Sequence, residues 1–333
     1  MMIREISVVA PITLMEEADD TSWRSNVNSC PELRIRIMLT SFFSRFNSSH
    51  LTDFVIVSPE RDVHLIQHIL SDTGLRNQVT IITEATFFKY VKMELPSTDR
   101  CGWYIQQVIK LAFSRICQST FYLTMDSDII TAPGCNFGDL FPDATRASVG
   151  SETFSDYNEI YTNAFAIHET KIKNGYYATA NEIFEEISCV SHAYVDRGYF
   201  FSETPVLMSS DAVNGLLNRI ESHSGLNAAE YLLSKTGWTE QSLYFTWLEL
   251  NCVIDALHII GGRNSVLCLD ASVWHATEFY RGSRNYPGGF FLNPYTKFVA
   301  VQSWVPVSKW LPSRYSNLGD FYADVQALLG LSS

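Results

Sequence analysis

No uninterrupted apolar run in the chain approaches the ~18 to 20 residues that a membrane-spanning helix needs. The apolar residues 6–15 follow Arg4-Glu5, lead into Glu16-Glu17 and carry no small-residue cleavage pattern, so they read as a first strand, with the cytoplasm as expected location. C-x-x-C pairs are missing, and the seven cysteines (Cys30, Cys101, Cys117, Cys135, Cys189, Cys252, Cys268) are odd in number. That argues against a zinc site or a disulfide framework and for buried free thiols in a reducing compartment. Basic residues are few: 24 Lys and Arg against 36 Asp and Glu leave a formal charge of −12, which repels phosphate backbones and anionic lipid, so no nucleic-acid partner is expected. Neither G-x-G-x-x-G nor G-x-x-x-x-G-K-[ST] occurs, so no glycine loop of those kinds cradles a phosphate.

What is present is the composition of a folded protein, with 46% hydrophobic and 18% charged residues over 333 positions, enough for a sizeable core. Ile6-Ser7-Val8-Val9-Ala10-Pro11 and Phe54-Val55-Ile56-Val57-Ser58-Pro59 are β-branched or apolar runs closed by proline, separated by a helical pattern over residues 32–46. A second helical pattern (62–70) precedes the strand Val79-Thr80-Ile81-Ile82, and a third (100–117) precedes Phe121-Tyr122-Leu123-Thr124-Met125. Strands alternating with helices predict an α/β fold, a mostly parallel central sheet flanked by helices, with its ligand crevice at the carboxyl ends of the strands. Beyond residue 130 the alternation fades. Expected there are a helix over 178–187, a strand and helix over 205–220, a helix over 240–250, a short strand over 265–269 and a loop-rich tail.

The sharpest local signal is Asp126-Ser127-Asp128 after the apolar run 121–125. If the strand continues, alternate residues share a face and both carboxylates aim into the crevice. Two acids so close repel each other unless a cation neutralises them, and oxygen donors of this kind suit Mg²⁺ or Mn²⁺. The plainer reading is a turn, for which Asp-Ser-Asp is good chemistry. An EF-hand fails, because Ile130 stands at a ligand position and the turn glycine is missing. A rival function is an aspartyl-phosphate phosphatase with Asp126 as nucleophile; its later acidic motif has a partial match at Gly319-Asp320-Phe321-Tyr322-Ala323-Asp324.

In the helix before this strand, Ile105, Val108, Ile109, Ala112 and Ile116 mark a buried stripe, while Trp103, Gln106, Gln107 and Lys110 fall on the opposite side. That polar side is either a solvated face or the lining of the crevice. Taken together, Gly102-Trp103-Tyr104-Ile105-Gln106-Gln107-Val108-Ile109-Lys110-Leu111, the run 121–130 and Trp238-Thr239-Glu240-Gln241-Ser242-Leu243-Tyr244 resemble a poorly characterised bacterial and viral group related to nucleotide-sugar glycosyltransferases of the GT-A fold.

The resemblance implies a single GT-A-like (Rossmann-like) domain over 1–333, with residues 1–130 binding the nucleotide sugar and 131–333 the acceptor. It implies a soluble, metal-dependent enzyme that moves a sugar from a nucleotide-diphosphate donor to a glycan or glycolipid-type acceptor. Mn²⁺ or Mg²⁺ would bridge Asp126 or Asp128 to the diphosphate, with His275 as a third ligand by position alone; otherwise His275 is a satisfied core or loop residue. Glu240 would face the acceptor hydroxyl as general base or sugar contact, or serve only as helix-start chemistry at Thr239-Glu240. Asp156 and Glu152 are further acid candidates. Pro11, Thr13 and Glu84 stand where base and ribose contacts fall, and Trp103, Gln107 and Lys110 where a sugar or diphosphate is held. Arg281, Arg284 and Lys297 form either a lid over the diphosphate or ordinary surface charges. Tyr157, Tyr161, Tyr176, Tyr177, Tyr194 and Tyr199, interleaved with Glu159 and Asp196, suit an acceptor glycan or a packed core. A non-catalytic sugar-nucleotide or glycan binding module is the remaining alternative.

Overall fold

The structure is a computed structural model that describes residues 5–14, 31–46, 49–95, 102–188, 198–302, 305 and 307–331. Cys30, Arg100, Cys101, Cys189, Tyr194 and Asp196 lie outside the described residues.

Strand β1 (Ile6–Pro11) is buried along its whole length. Helix α1 (Pro31–Phe43) starts on a proline, whose fixed φ suits the first helical position, and buries Ile35, Met38, Leu39 and Phe42 on one stripe. Then come β2 (Leu51–Ser58), α2 (Val63–Asp72), β3 (Thr80–Thr83) and α3 (Glu84–Tyr90), the last capped by the Thr83 hydroxyl accepting the Thr86 N–H. Helix α4 (Gly102–Ala112) leads to β4 (Phe121–Thr124). The second half holds β5 (Ile129–Thr131), α5 (Phe137–Leu140), β6 (Ala147–Thr153), α6 (Phe154–Ile160) and the long α7 (Asn163–Ser188). It continues through β7 (Tyr199–Phe201), β8 (Val206–Ser209), α8 (Ser210–Ser224), α9 (Ala228–Leu233) and α10 (Glu240–Leu250). Short α11 (Ile254–Leu257), β9 (His258–Gly261), β10 (Phe298–Ala300) and α12 (Leu318–Leu329) complete it.

The main sheet has the order β3-β2-β1-β4-β8, the first four strands parallel and β8 antiparallel to β4. Connections run outward from β1 to β3 and then return across to β4, so the order reverses between β1 and β4. A crevice opens at such a switch point, outside the strands' carboxyl ends. Helix α1 packs on α2 and α12, while α4 packs on β1, α8, α9 and α10. A β7-β6-β9 sheet and a β10-β5 pair extend the second half. The largest apolar core joins residues of both halves, from Ile6 to Ala300, and a smaller one lies under α12.

Three expectations are corrected. Residues 265–269 form no strand: Leu267 makes a single bridge to Phe298, and the run is buried among loops closed by Asp270 on Arg263 and Asn264. The helix expected over 178–187 is α7, of 26 residues. Its buried stripe continues N-terminally through Tyr177, Lys173 and Ala166, and a lysine inside an apolar stripe hides the periodicity. Asp126 and Asp128 lie in a turn beyond β4, not on an extended strand. Cys117, Cys135, Cys252 and Cys268 are free thiols as expected, but only Cys135 and Cys268 are buried; Cys117 is half-buried and Cys252 exposed. Among the described residues, no helix is long and apolar enough to cross a membrane.

One polar contact inside the core ties three elements together. The Tyr244 hydroxyl of α10 lies 2.8 Å from Nε2 of His258 on β9 and accepts the Ser209 N–H at 2.9 Å. Burial drives the His258 pKa from the ordinary 6.5 down to about 3, so the native ring stays neutral while the unfolded chain takes up a proton below pH ~6.5. This stability is complete above that pH and drains as pH falls toward 3, by at most about 1.4 kcal/mol per pH unit. Urea unfolding of wild type and His258→Gln at pH 6.5, 5.8 and 5.0 checks it: the wild-type slope is expected to be the steeper, and equal slopes refute a buried neutral imidazole.

Candidate active site at the end of β4

Helix α4 carries Lys110 in its last turn, among apolar neighbours that bury it against α10. Its side chain is 1% exposed, and Nζ donates to Oδ1 of Asp126 at 2.8 Å, Oε1 of Glu240 at 2.9 Å and Oγ1 of Thr204 at 3.0 Å. Thr204 in turn donates to the same Glu240 oxygen at 3.1 Å. An ammonium therefore sits between two carboxylates, one wholly buried and one at the rim: the Glu240 side chain is 1% exposed and that of Asp126 33%. Burial works against the Lys110 charge, but Asp126 and Glu240 outweigh it and hold its pKa above that of an ordinary lysine. Burial pushes the Glu240 carboxyl upward, and Lys110 draws it back.

Local sequence explains how Glu240 reaches this position. Thr239 and Ser242 form a reciprocal capping box at the start of α10. The free Glu240 N–H is taken by Oε1 of Gln107, one turn before Lys110 on α4. Ahead of the cap, Gly237 adopts a φ of +80°, and a Cβ there would lie 3.1 Å from the Thr179 hydroxyl. The Gly237 N–H donates to the Tyr104 hydroxyl at 2.7 Å, fastening the entry of α10 to α4.

The predicted residues divide sharply. Asp126 and Lys110 meet at the switch point, with Thr13 nearby: Gln106 of α4 reaches Oγ1 of Thr13 at 3.5 Å, just past the buried Pro11 that ends β1. Gln107 is buried and spent on Glu240, so it does not line the crevice. Glu240, expected to face an acceptor, is instead sealed behind Lys110, with Oε1 on Nζ of that lysine and on the Thr204 hydroxyl. Trp103 is half-buried, edge-on to Tyr104 at 4.8 Å. Glu84 starts α3 at the far edge of the sheet, its carboxyl pushed up by burial. β3 stands three strand steps from β4, roughly 14 Å.

Asp128 is buried beside Asp126, and its carbonyl accepts the Val301 N–H at 2.9 Å. His275 lies 3.6 Å from Glu169 and edge-on to Phe165 and Tyr161. Among the described residues no three His, Cys, Asp or Glu side chains gather as a metal cluster. Asp156 is a helix cap: it accepts the Thr153 N–H and hydroxyl at 2.7 Å each and pairs with Arg263 at 3.0 Å, which accounts for its presence without catalysis. Glu152 is buried and accepts the Tyr157 hydroxyl at 2.7 Å. Arg281 is tied to Asn158 and the Tyr161 carbonyl, Arg284 to the Asp270 carbonyl and Lys297 to Asp139, so the three basic residues make no loose lid. Tyr157, Tyr161 and Tyr177 are core residues; Tyr176 and Tyr199 are half-buried. The acidic pair of the phosphatase rival sits on α12, the Asp320 N–H donating to the Asn317 cap and Asp324 accepting the Tyr315 hydroxyl, and α12 packs on α1. Thr204, Glu203 and Lys173 escaped the sequence reading; the only signal for Lys173 is its place on the apolar stripe of α7.

A 3-2-1-4 parallel core closed by one antiparallel strand defines a doubly wound, Rossmann-like α/β fold, with paired acids at its switch point. The chain belongs to the family described as "Family of unknown function (DUF6492)", whose model matches residues 3–325. No curated protein matches it. Among solved structures it is similar to mouse xyloside xylosyltransferase 1, apo form, at 13% identity over 92% of this chain and 100% of that one, TM-score 0.45. It is similar to the bifunctional glycosyltransferase WbbM, apo structure, at 9% identity over 89% of this chain and 45% of that one, TM-score 0.45. It is also similar to glucosyl-3-phosphoglycerate synthase from Mycobacterium tuberculosis, solved with Mn²⁺, uridine diphosphate and glucosyl-3-phosphoglycerate, at 13% identity over 78% of this chain and 70% of that one, TM-score 0.35.

Removing one member of a buried charge set leaves the other uncompensated, a loss of about 3 to 5 kcal/mol. Lys110→Met is expected to cost that much in urea unfolding, and adding Glu240→Gln should recover part of it, because the stranded carboxylate disappears. A loss under about 1 kcal/mol for Lys110→Met would mean the ion set is not desolvated.

Proposed function

We propose that the protein is a glycosyltransferase that moves a sugar from a nucleotide-diphosphate donor to a hydroxyl of a glycan or glycolipid-type acceptor. The observation that carries this reading is the buried Lys110 ammonium holding Asp126 at the rim of the switch-point crevice. We read residues 1–130 as the donor half and 131–333 as the acceptor half of one domain, because both contribute to the largest core.

Asp126 and Asp128 offer hard oxygen donors and no soft ones, a set that fits Mg²⁺ or Mn²⁺. Mg²⁺ in particular is commonly held by one or two carboxylates, with phosphate oxygens and water completing its shell. A bound cation supplies charge neutralisation for the departing diphosphate. The chain's own residues do the rest. Lys110 keeps its proton, so it fixes Asp126 at the rim of the crevice. Glu240 and Thr204 restrain Nζ from behind. Thr13 and Glu84, set apart along the sheet edge, define the direction in which a nucleoside extends away from Asp126. With Glu240 sealed off, its proposed role is orientation of Lys110, and acceptor chemistry is left to groups nearer the solvent.

Melting temperatures across a panel of nucleotide sugars, with and without Mn²⁺ or Mg²⁺, test the reading. A ligand at ~100 times its dissociation constant adds about 2.7 kcal/mol to the native state, several degrees of melting temperature. The expected result is a shift for one nucleotide class that needs the cation and vanishes in Asp126→Asn and Asp128→Ala. No shift across the panel, or one that survives both substitutions, rejects it.

A further inference from the structure

Two buried lysines flank the link between β7 and β8. Lys110 of α4 is one; Lys173, in the middle of α7, is the other, its side chain 9% exposed and paired with Glu203. Glu203 and Thr204 are consecutive residues, one serving each lysine. The chain bends at Thr204 and Pro205, between β7 and β8, and there one dipeptide reaches two cations in different helices.

The link is held at both ends. The Ser202 N–H donates to the Gly150 carbonyl at 2.9 Å, and the Val206 N–H reaches the Thr124 hydroxyl at 3.3 Å on β4, two residues before Asp126. Around Lys173 lie further acids: Glu152 on β6 and Glu169 one turn earlier on α7. Glu152 is occupied by the Tyr157 hydroxyl and Glu169 faces His275, which leaves Glu203 as the direct partner of the lysine. Lys173 occupies a stripe position where an apolar residue would pack without desolvation cost, so its charge is retained against that cost.

We propose that Lys173 is a positioning residue of the transferase centre, acting through Glu203 to set the orientation of Thr204 and hence the place of the Lys110 ammonium between Glu240 and Asp126. The transferase part of this statement rests on the function proposed above; the mechanical part does not. Breaking the Lys173–Glu203 pair frees the link to rotate, withdraws Thr204 from Nζ and Oε1, and loosens the rim acid from behind. The acceptor-side helix α7 and the donor-side helix α4 are thereby coupled through two residues.

The test uses the full chain with Lys173→Met, Glu203→Gln and Lys173→Arg. Hydrogen exchange is read at the Val206 and Glu240 amides, and acylation of Lys110 by a water-soluble amine-reactive ester is read by peptide mass spectrometry. The first two variants are expected to raise exchange at both amides by roughly tenfold or more and to expose Lys110 to labelling, while β1 and β2 amides stay within about twofold of wild type. Lys173→Arg, which keeps the cation, is expected to restore protection. Glu203→Gln, nearly isosteric, reports on the coupling even where Lys173→Met fails to fold. Unchanged protection in Glu203→Gln, equal loosening of β1 and β2, or no rescue by arginine overturns the proposal. Melting shifts across the nucleotide-sugar panel with Mn²⁺ are recorded alongside: if the wild type shows none, the transferase reading is what fails, and the exchange data still decide the coupling.

Discussion

The arrangement of the crevice depends on an ammonium group kept out of water between two carboxylates. Taken alone, burial favours a neutral lysine and a neutral glutamic acid. Placed between Asp126 and Glu240, Lys110 nevertheless holds its proton more tightly than an ordinary lysine, because the two acids supply the counter-charge that water would otherwise provide. The geometry is therefore unforgiving: Lys110 can hold Asp126 only while Glu240 and Thr204 hold Lys110. Four separate elements converge on one nitrogen: α4, the turn after β4, the β7–β8 link and the start of α10.

That convergence explains features that otherwise look unrelated. The capping box at Thr239 and Ser242, the Gln107 contact to the Glu240 N–H and the Tyr104 contact to Gly237 all pin the first turn of α10 onto α4. Together they leave Glu240 no freedom to swing toward the solvent. A carboxylate at a helix start is commonly favoured by the dipole; here the same position also satisfies a buried cation, so one residue meets two electrostatic demands. The β7–β8 link adds a second lysine on its other side, which extends the charged network from the sheet edge into α7.

The parallel sheet was legible because its strands are short β-branched and apolar runs ended by proline or acid, separated by patterned helices. The end of β4 stood out because acids after an apolar strand are costly unless something neutralises them. Lys110 was visible as a polar residue on α4, but its partner was not: Glu240 lies 130 residues further on, and no local pattern reports a contact of that separation. Reading the polar side of α4 as either solvated or crevice-lining missed a third possibility, that Gln107 and Lys110 are buried and spent on α10. The N-terminal part of α7 went unread for a related reason, since Lys173 interrupts its apolar stripe with a charge whose compensation comes from Glu203.

The amino-acid sequence by itself determined the local elements, their alternation, the scarcity of basic surface and the acids at the end of the fourth strand, since propensity, periodicity and composition act over a few residues. Which acid is sealed and which is exposed, which polar residues meet, and that a single dipeptide serves two lysines were decided only by the tertiary structure. Ionic interactions in a low-dielectric interior depend on distance and desolvation, and chain proximity sets neither.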